Sequence, residues 1–208
     1  MKKFLPVSLL LTLCLTLLTP SLAKADYSVD QVRQYVDGVA SQTLSVISGG
    51  GTKETKKQAL EKIFAAQVDI PWVGRFVLGR FWRDATPAQR SNYLKEYKSF
   101  LLANYATRFA QYSSGTYKIT SATDDGDAQY TVSMTMAGAD QSQPVQVDYK
   151  IHVMEDGKLR LFDVVVEGVS MITTQRSEFA SVLGQKGLDY LIQQLANKSL
   201  PLPDEKKS

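Results

Sequence analysis

The sequence predicts an α+β fold in which helices pack on one face of a curved antiparallel sheet of about four to five strands. Two observations carry this reading. Apolar residues recur at helical spacing in the first half of the chain, alternate strictly through its middle, and return to helical spacing near the end. The alternating runs are separated by polar, glycine-containing turn signals, as hairpins require. At 208 residues the chain has room for one domain of ordinary size with its own core. That domain is expected over residues 26–200, between a leader at 1–25 and a flexible tail at 201–208.

The leader comes first. Met1-Lys2-Lys3 is a positive n-region, Phe4 to Leu18 an apolar h-region, and Ala23-Lys24-Ala25 an A-x-A cleavage site. This pattern is a secretory signal peptide, with the mature protein beginning at Asp26. The run carries Pro6 and is shorter than the roughly 20 residues that a spanning helix needs. From Val29, the residues Val32, Val36, Val39 and Ile47 mark a first amphipathic helix, which Ser48-Gly49-Gly50-Gly51 breaks. Thr52 caps a second helix with Leu60, Ile63 and Phe64 on its buried side. Asp69 followed by Pro71 starts a third, carrying Trp72, Phe76 and Val77, and Gly79 stops it. Thr86-Pro87-Ala88-Gln89 fits a capping box with proline at the first helical position, opening a long helix through Phe109. Its stripe of Tyr93, Tyr97, Leu101, Tyr105 and Phe109 is mostly aromatic.

Tyr117 and Ile119 form a weak first strand. Tyr130, Val132, Met134 and Met136 alternate with Thr131, Ser133 and Thr135 in a second, half-buried one. The third is cleaner, with Val145, Val147, Tyr149, Ile151 and Val153 on one face and Gln146, Asp148, Lys150 and His152 on the other. Asp156-Gly157 turns it into Lys158 to Glu167, and Val169 to Thr173 continues the sheet beyond Gly168. Helical pattern returns with Phe179, Val182 and Leu183, then with Leu188, Leu191, Ile192 and Leu195.

Composition excludes several functions. Lys and Arg number 24 against 21 acids, but Lys2, Lys3 and Lys24 lie in the leader, so the remainder is balanced and offers no electrostatic footprint for nucleic acid. The single cysteine, Cys14, also lies in the leader, which leaves the mature chain without disulfide, thiolate metal site or Cys nucleophile. A Ser-His-acid triad would need the single histidine, His152, which the alternation assigns to the polar face as a solvated strand residue. Asp124-Asp125-Gly126-Asp127 lacks the closing glutamate of a calcium loop and reads as a hairpin turn, so no metal site is expected. Gly49-Gly50-Gly51 follows no strand and precedes no Lys-Ser/Thr, so it is no phosphate loop.

Two features stay open on the residues alone. Asp163, flanked by Leu161-Phe162 and Val164-Val165-Val166, is either the buried general base of a small α+β isomerase or dehydratase, or an acid at a strand kink. In the second reading it binds backbone amides near Gly168 or pairs with Arg176. The surplus of aromatic, Met and branched apolar residues either fills a core or lines a cavity for an apolar ligand.

Several segments together resemble the MlaC family, also called the toluene-tolerance auxiliary family. They are Val77-Leu78-Gly79-Arg80-Phe81-Trp82, Ala85-Thr86-Pro87-Ala88-Gln89-Arg90, the tyrosine-rich helix, Phe162-Asp163-Val164-Val165-Val166-Glu167-Gly168-Val169-Ser170 and Arg176-Ser177-Glu178-Phe179. Leu159 departs from the tryptophan that members commonly carry there. The resemblance implies a monomeric periplasmic carrier that moves phospholipid between an outer-membrane lipoprotein-porin complex and an inner-membrane ABC transporter bearing an MCE-domain ring. Such a carrier serves to maintain outer-membrane lipid asymmetry. It implies no catalysis and no cofactor, with phospholipid as the carried ligand, and a large apolar cavity between helices and sheet. The expected wall is Trp72, Val73, Phe76 and Val77 of the third helix, Tyr97, Leu101 and Tyr105 of the long one, and Val132, Met134, Val147, Tyr149, Ile151, Val164 and Val166 of the sheet. Arg75, Arg80 and Arg83 either meet phosphate or acidic partners near the mouth or form a solvated basic edge. A cavity is physically required of such a carrier: at about 0.8 kcal/mol per CH₂, exposing two chains of roughly 15 methylenes costs on the order of 25 kcal/mol.

Overall fold

A computed structural model of the chain describes residues 26–111, 115–138 and 143–200. The expected signal peptide and the expected tail lie outside the described residues. Helix boundaries follow the caps. In α1 (Val29–Ser48), Ser28 Oγ accepts from Gln31 N at 3.2 Å and Gln31 Oε1 from Ser28 N at 2.8 Å, a complete capping box. Thr52 Oγ1 caps α2 (Lys53–Gln67) through Thr55 N, and Asp69 Oδ1 caps α3 (Ile70–Leu78) through Trp72 N at 3.0 Å. Gly79, at φ +59° and ψ −131°, ends α3 in backbone space that side-chain-bearing residues avoid. A four-residue helix α4 (Phe81–Asp84) follows, too short to show a period in the sequence. The Thr86/Gln89 capping box then opens α5 (Pro87–Gln111) as expected.

Five strands form one antiparallel meander, β1 (Gly115–Gly126), β2 (Gln129–Gly138), β3 (Val145–Val153), β4 (Leu159–Val166) and β5 (Val169–Ser170), ordered as in sequence. The expected continuation to Thr173 stops at Ser170. There the side chain accepts from Thr173 N at 3.2 Å and starts α6 (Met171–Lys186), so capping overrides the β-branched run. Helix α7 (Leu188–Ala196) completes the fold.

The register aligns Val132 with Tyr149 and Tyr149 with Val164, Met134 with Val147 and Val147 with Val166, and Ile151 with Leu161. All therefore share one face, because side chains directly opposite in a ladder project to the same side. Val32 and Val36 of α1 pack on this face in one apolar cluster. A second cluster joins α3, α5, α6 and α7 around Tyr93, Tyr97, Phe100 and Phe179. Gly74 permits the close α3–α5 approach, since a Cβ there would lie 2.8 Å from Leu94 Cδ2 and 3.0 Å from Tyr97 Cδ1. The register shift opposite Lys150 and Ile151 leaves Phe162 unpaired in β4, and this bulged residue packs against the helical cluster. Through it the helices reach the opposite face of the sheet at this corner, instead of covering one face alone.

Candidate functional site

The expected wall divides between the two clusters. Its sheet members lie on the face covered by α1, whereas Trp72, Val73, Phe76, Val77, Tyr97, Leu101 and Tyr105 belong to the helical cluster. Val68, between α2 and α3, touches both. It stands at a parallel bridge to Leu161, where Asp69 N donates to Leu161 O at 2.9 Å, so a short backbone contact pins the helical layer to the edge of β4. Two apolar cores in one domain thus meet along a seam.

Exposure separates packed members of the wall from open ones. Val73, Val77, Tyr97, Leu101, Val132, Met134, Val147 and Ile151 are buried, with Val132, Ile151 and Tyr97 at 0%. A side chain without accessible surface borders no hollow. Trp72, Phe76, Tyr105, Tyr149, Val164 and Val166 keep part of their surface open. Eight of the fourteen expected wall residues are thus packed among neighbours, and six keep open surface. Two open surface grooves occur elsewhere, one of about 500 Å³ lined by Tyr27, Gln31, Gln34, Tyr35, Lys158, Leu159 and Arg160, and one of about 440 Å³ beside α5 and α7. Neither is lined by a residue of the expected wall.

The half-open apolar residues include Tyr149, whose hydroxyl has the sulfur of Met136 at 3.9 Å as its partner. Burial in these surroundings pushes its phenol up to about 12. Tyr105 stacks on Phe64 at 5.2 Å between ring centroids, joining α5 to α2. Deeper in the helical cluster, Tyr97 donates to Gln175 Oε1 at 2.5 Å and Tyr93 to Gly74 O at 3.0 Å. Burial holds both phenols well above their usual range.

Asp163 is an anchor at the strand kink. Oδ1 accepts from Val164 N at 2.8 Å and Ile172 N at 3.2 Å, and Oδ2 accepts from Ser170 Oγ at 2.6 Å. Both oxygens are engaged, and they tie β4 to the first turn of α6. The amides are those of Val164 and Ile172, four residues to either side of Gly168, and Arg176 lies instead 4.8 Å over the Phe76 ring. A general base needs a lone pair turned toward a substrate, and three of this carboxylate's acceptor sites are taken up by the fold.

His152 differs from its expectation as a solvated residue. Its side chain is 16% exposed, Nε2 lies 3.1 Å from Asp69 Oδ2, and Trp72 and Phe162 flank the ring at 5.7 and 5.2 Å. Alternation assigned the face correctly, but α3 covers that face here. This Asp69–His152 pair was not foreseen, since Asp69 signalled only a helix start. Among the described residues no group of three or more His, Cys, Asp or Glu side chains is placed to hold a metal, and no helix is long and apolar enough to cross a membrane. Arg75, Arg80 and Arg83 are exposed.

The family described as MlaC protein matches residues 37–197. A curated relative, the intermembrane phospholipid transport system binding protein MlaC of Haemophilus influenzae, is 24% identical over 127 residues. That alignment takes in 60% of this chain, and the chain spans 59% of the relative's length. The solved structure of the phospholipid-binding protein from Ralstonia solanacearum, in complex with a phospholipid, matches at a TM-score of 0.68 with 23% identity. The match covers 79% of this chain and 94% of that one, a likeness of fold.

Proposed function

This chain belongs to the MlaC family, and from that premise we propose that it is a periplasmic phospholipid carrier. In this reading it is exported by a cleaved leader and works as a monomer with one lipid-binding domain over residues 26–200. It shuttles lipid between an outer-membrane lipoprotein-porin complex and an inner-membrane ABC transporter with an MCE-domain ring, which maintains outer-membrane lipid asymmetry. The seam between the two cores is the observation that supports it best. A domain of this size ordinarily gathers its apolar residues into one core. Here two clusters share Val68, and Phe64, Tyr105, Tyr149, Val164 and Val166 remain partly open around them.

Parting the two clusters where Val68 joins them would open an apolar space for acyl chains. Because apolar contacts replace apolar contacts, loading from a bilayer is close to isoenergetic, so the partners set direction and the chain itself needs no nucleotide site. No catalytic residue is assigned. Lipid exchange tests the reading: protein mixed with donor vesicles carrying a fluorescent phospholipid and unlabelled acceptor vesicles should raise the transfer rate in proportion to its concentration. A rate equal to that of vesicles alone would overturn it.

A further inference from the structure

We propose that the corner formed by α3, α4 and the start of α6 is a docking surface for the headgroup layer of an anionic phospholipid bilayer. Five arginines gather here. Arg75, Arg80, Arg83 and Arg176 are exposed and Arg90 is half-buried, and among the described residues none of the five is in an ion pair. Within four residues of these arginines in sequence the acids are Asp84 and Glu178, so basic groups outnumber acids in the patch although the mature chain is balanced overall.

Three of the guanidinium groups are held by aromatic rings instead of carboxylates. Arg176 lies 4.8 Å from the Phe76 centroid, Arg80 5.0 Å from Phe81, and Arg90 5.3 Å from Trp82. Arg90 is fixed further by Nε donating to Trp82 O at 2.9 Å and Nη2 to Arg83 O at 3.0 Å. Arg176 also crosses the backbone at Gly79, where a Cβ would come within 3.2 Å of its Nε and Nη2. Arginines held this way lose little entropy on binding, and the planar guanidinium suits phosphate recognition.

Charge complementarity selects an anionic occupant, and the rings select a bilayer over an acidic protein. Phe76, Phe81 and Trp82 are partly exposed at the level of the guanidiniums. A headgroup layer offers phosphates beside apolar matter, and Arg and Trp side chains are suited to that boundary. The inference deepens the carrier reading by naming a surface that the carrier approaches.

Co-flotation of the lipid-loaded protein with vesicles tests it. Vesicles of phosphatidylglycerol should bind the protein, and vesicles of phosphatidylcholine should bind it far more weakly. Each arginine near a charged surface contributes roughly fivefold to partition, so the combined Arg80→Ala, Arg83→Ala, Arg176→Ala variant should lose on the order of a hundredfold. A control of equal charge, Lys53→Ala, Lys95→Ala, Lys98→Ala, should lose only a few-fold. Salt at about 0.5 M should release the wild type. Equal losses in both triple variants, or undiminished binding of the arginine variant, would overturn the proposal. So would arginine-dependent binding to polyglutamate without binding to vesicles, which would assign the corner to an acidic protein. Lipid bound per wild-type chain is read on the same samples. A chain that carries none contradicts the carrier reading, whereas a loaded chain that ignores phosphatidylglycerol contradicts the docking surface alone.

Discussion

Replacing Asp163 distinguishes a structural anchor from a catalytic base. Asp163→Ala removes the acceptor for the Val164 amide, the Ile172 amide and the Ser170 hydroxyl together. Leaving a buried donor unsatisfied costs about 1–3 kcal/mol, and the carboxylate also faces the positive end of α6, worth about 0.3–1 kcal/mol. With water reaching part of the site, the alanine variant should lose about 3–5 kcal/mol. For a domain of this size that is a fall in Tm of roughly 10 °C or more. Asp163→Asn should behave differently. Its Oδ1 can keep both amides, so the charge and one strong acceptor are lost, at about 1–2 kcal/mol. Thermal and denaturant unfolding of both variants, with bound lipid counted in each, reads the difference. An asparagine variant that melts like wild type yet abolishes function would refute the anchor, and so would one that destabilises as much as alanine.

Gly79→Ala should cost about 1–3 kcal/mol, because its φ of +59° with ψ −131° is strained for any residue with a Cβ. If Arg176→Ala in the same chain restores the wild-type midpoint, the cost was contact with the guanidinium rather than backbone strain. Tyr149 links stability to alkaline pH. Its folded-state value of about 12 lies above the ordinary 10.0, so its contribution is complete below pH 10 and is lost as the pH rises from about 10 to 12, where the unfolded chain ionises first. Tyr149→Phe should flatten that decline in denaturant titrations, and an unchanged slope would contradict the burial of the phenol. Val147, buried between Met134 and Val166, should lose about 1–3 kcal/mol on enlargement to Trp and should also carry less lipid. Lower stability with unchanged lipid would make it ordinary core.

Local chemistry was legible in the sequence wherever it acts over a turn or a ladder. The Thr52 and Asp69 caps and the Thr86/Gln89 box set helix starts because a side chain and an amide three residues on satisfy each other. Alternation gave the faces of β2 and β3 correctly. What alternation cannot give is the layer that covers a face. His152 was assigned to the polar side and is there, yet Trp72 and Asp69 come from a distant helix to enclose it. The same gap affects the wall: periodicity marked Tyr97 and Val132 as inward residues, but their membership of different clusters depends on how α1 and α3 pack. Phe162 reaches the helical cluster through a bulge that no local pattern announces. Val169, Ile172 and Thr173 are β-formers and pattern as strand to Thr173, while one serine hydroxyl ends β5 at Ser170 and decides for helix.

Whether this protein holds phospholipid is tested most directly by native mass spectrometry of chain isolated gently from cells, followed by extraction and identification of what it carries. Protein bearing the added mass of a phospholipid, released on organic extraction, is the result predicted from an apolar seam in reach of membranes. Lipid-free protein that also fails to load from phospholipid vesicles would contradict it.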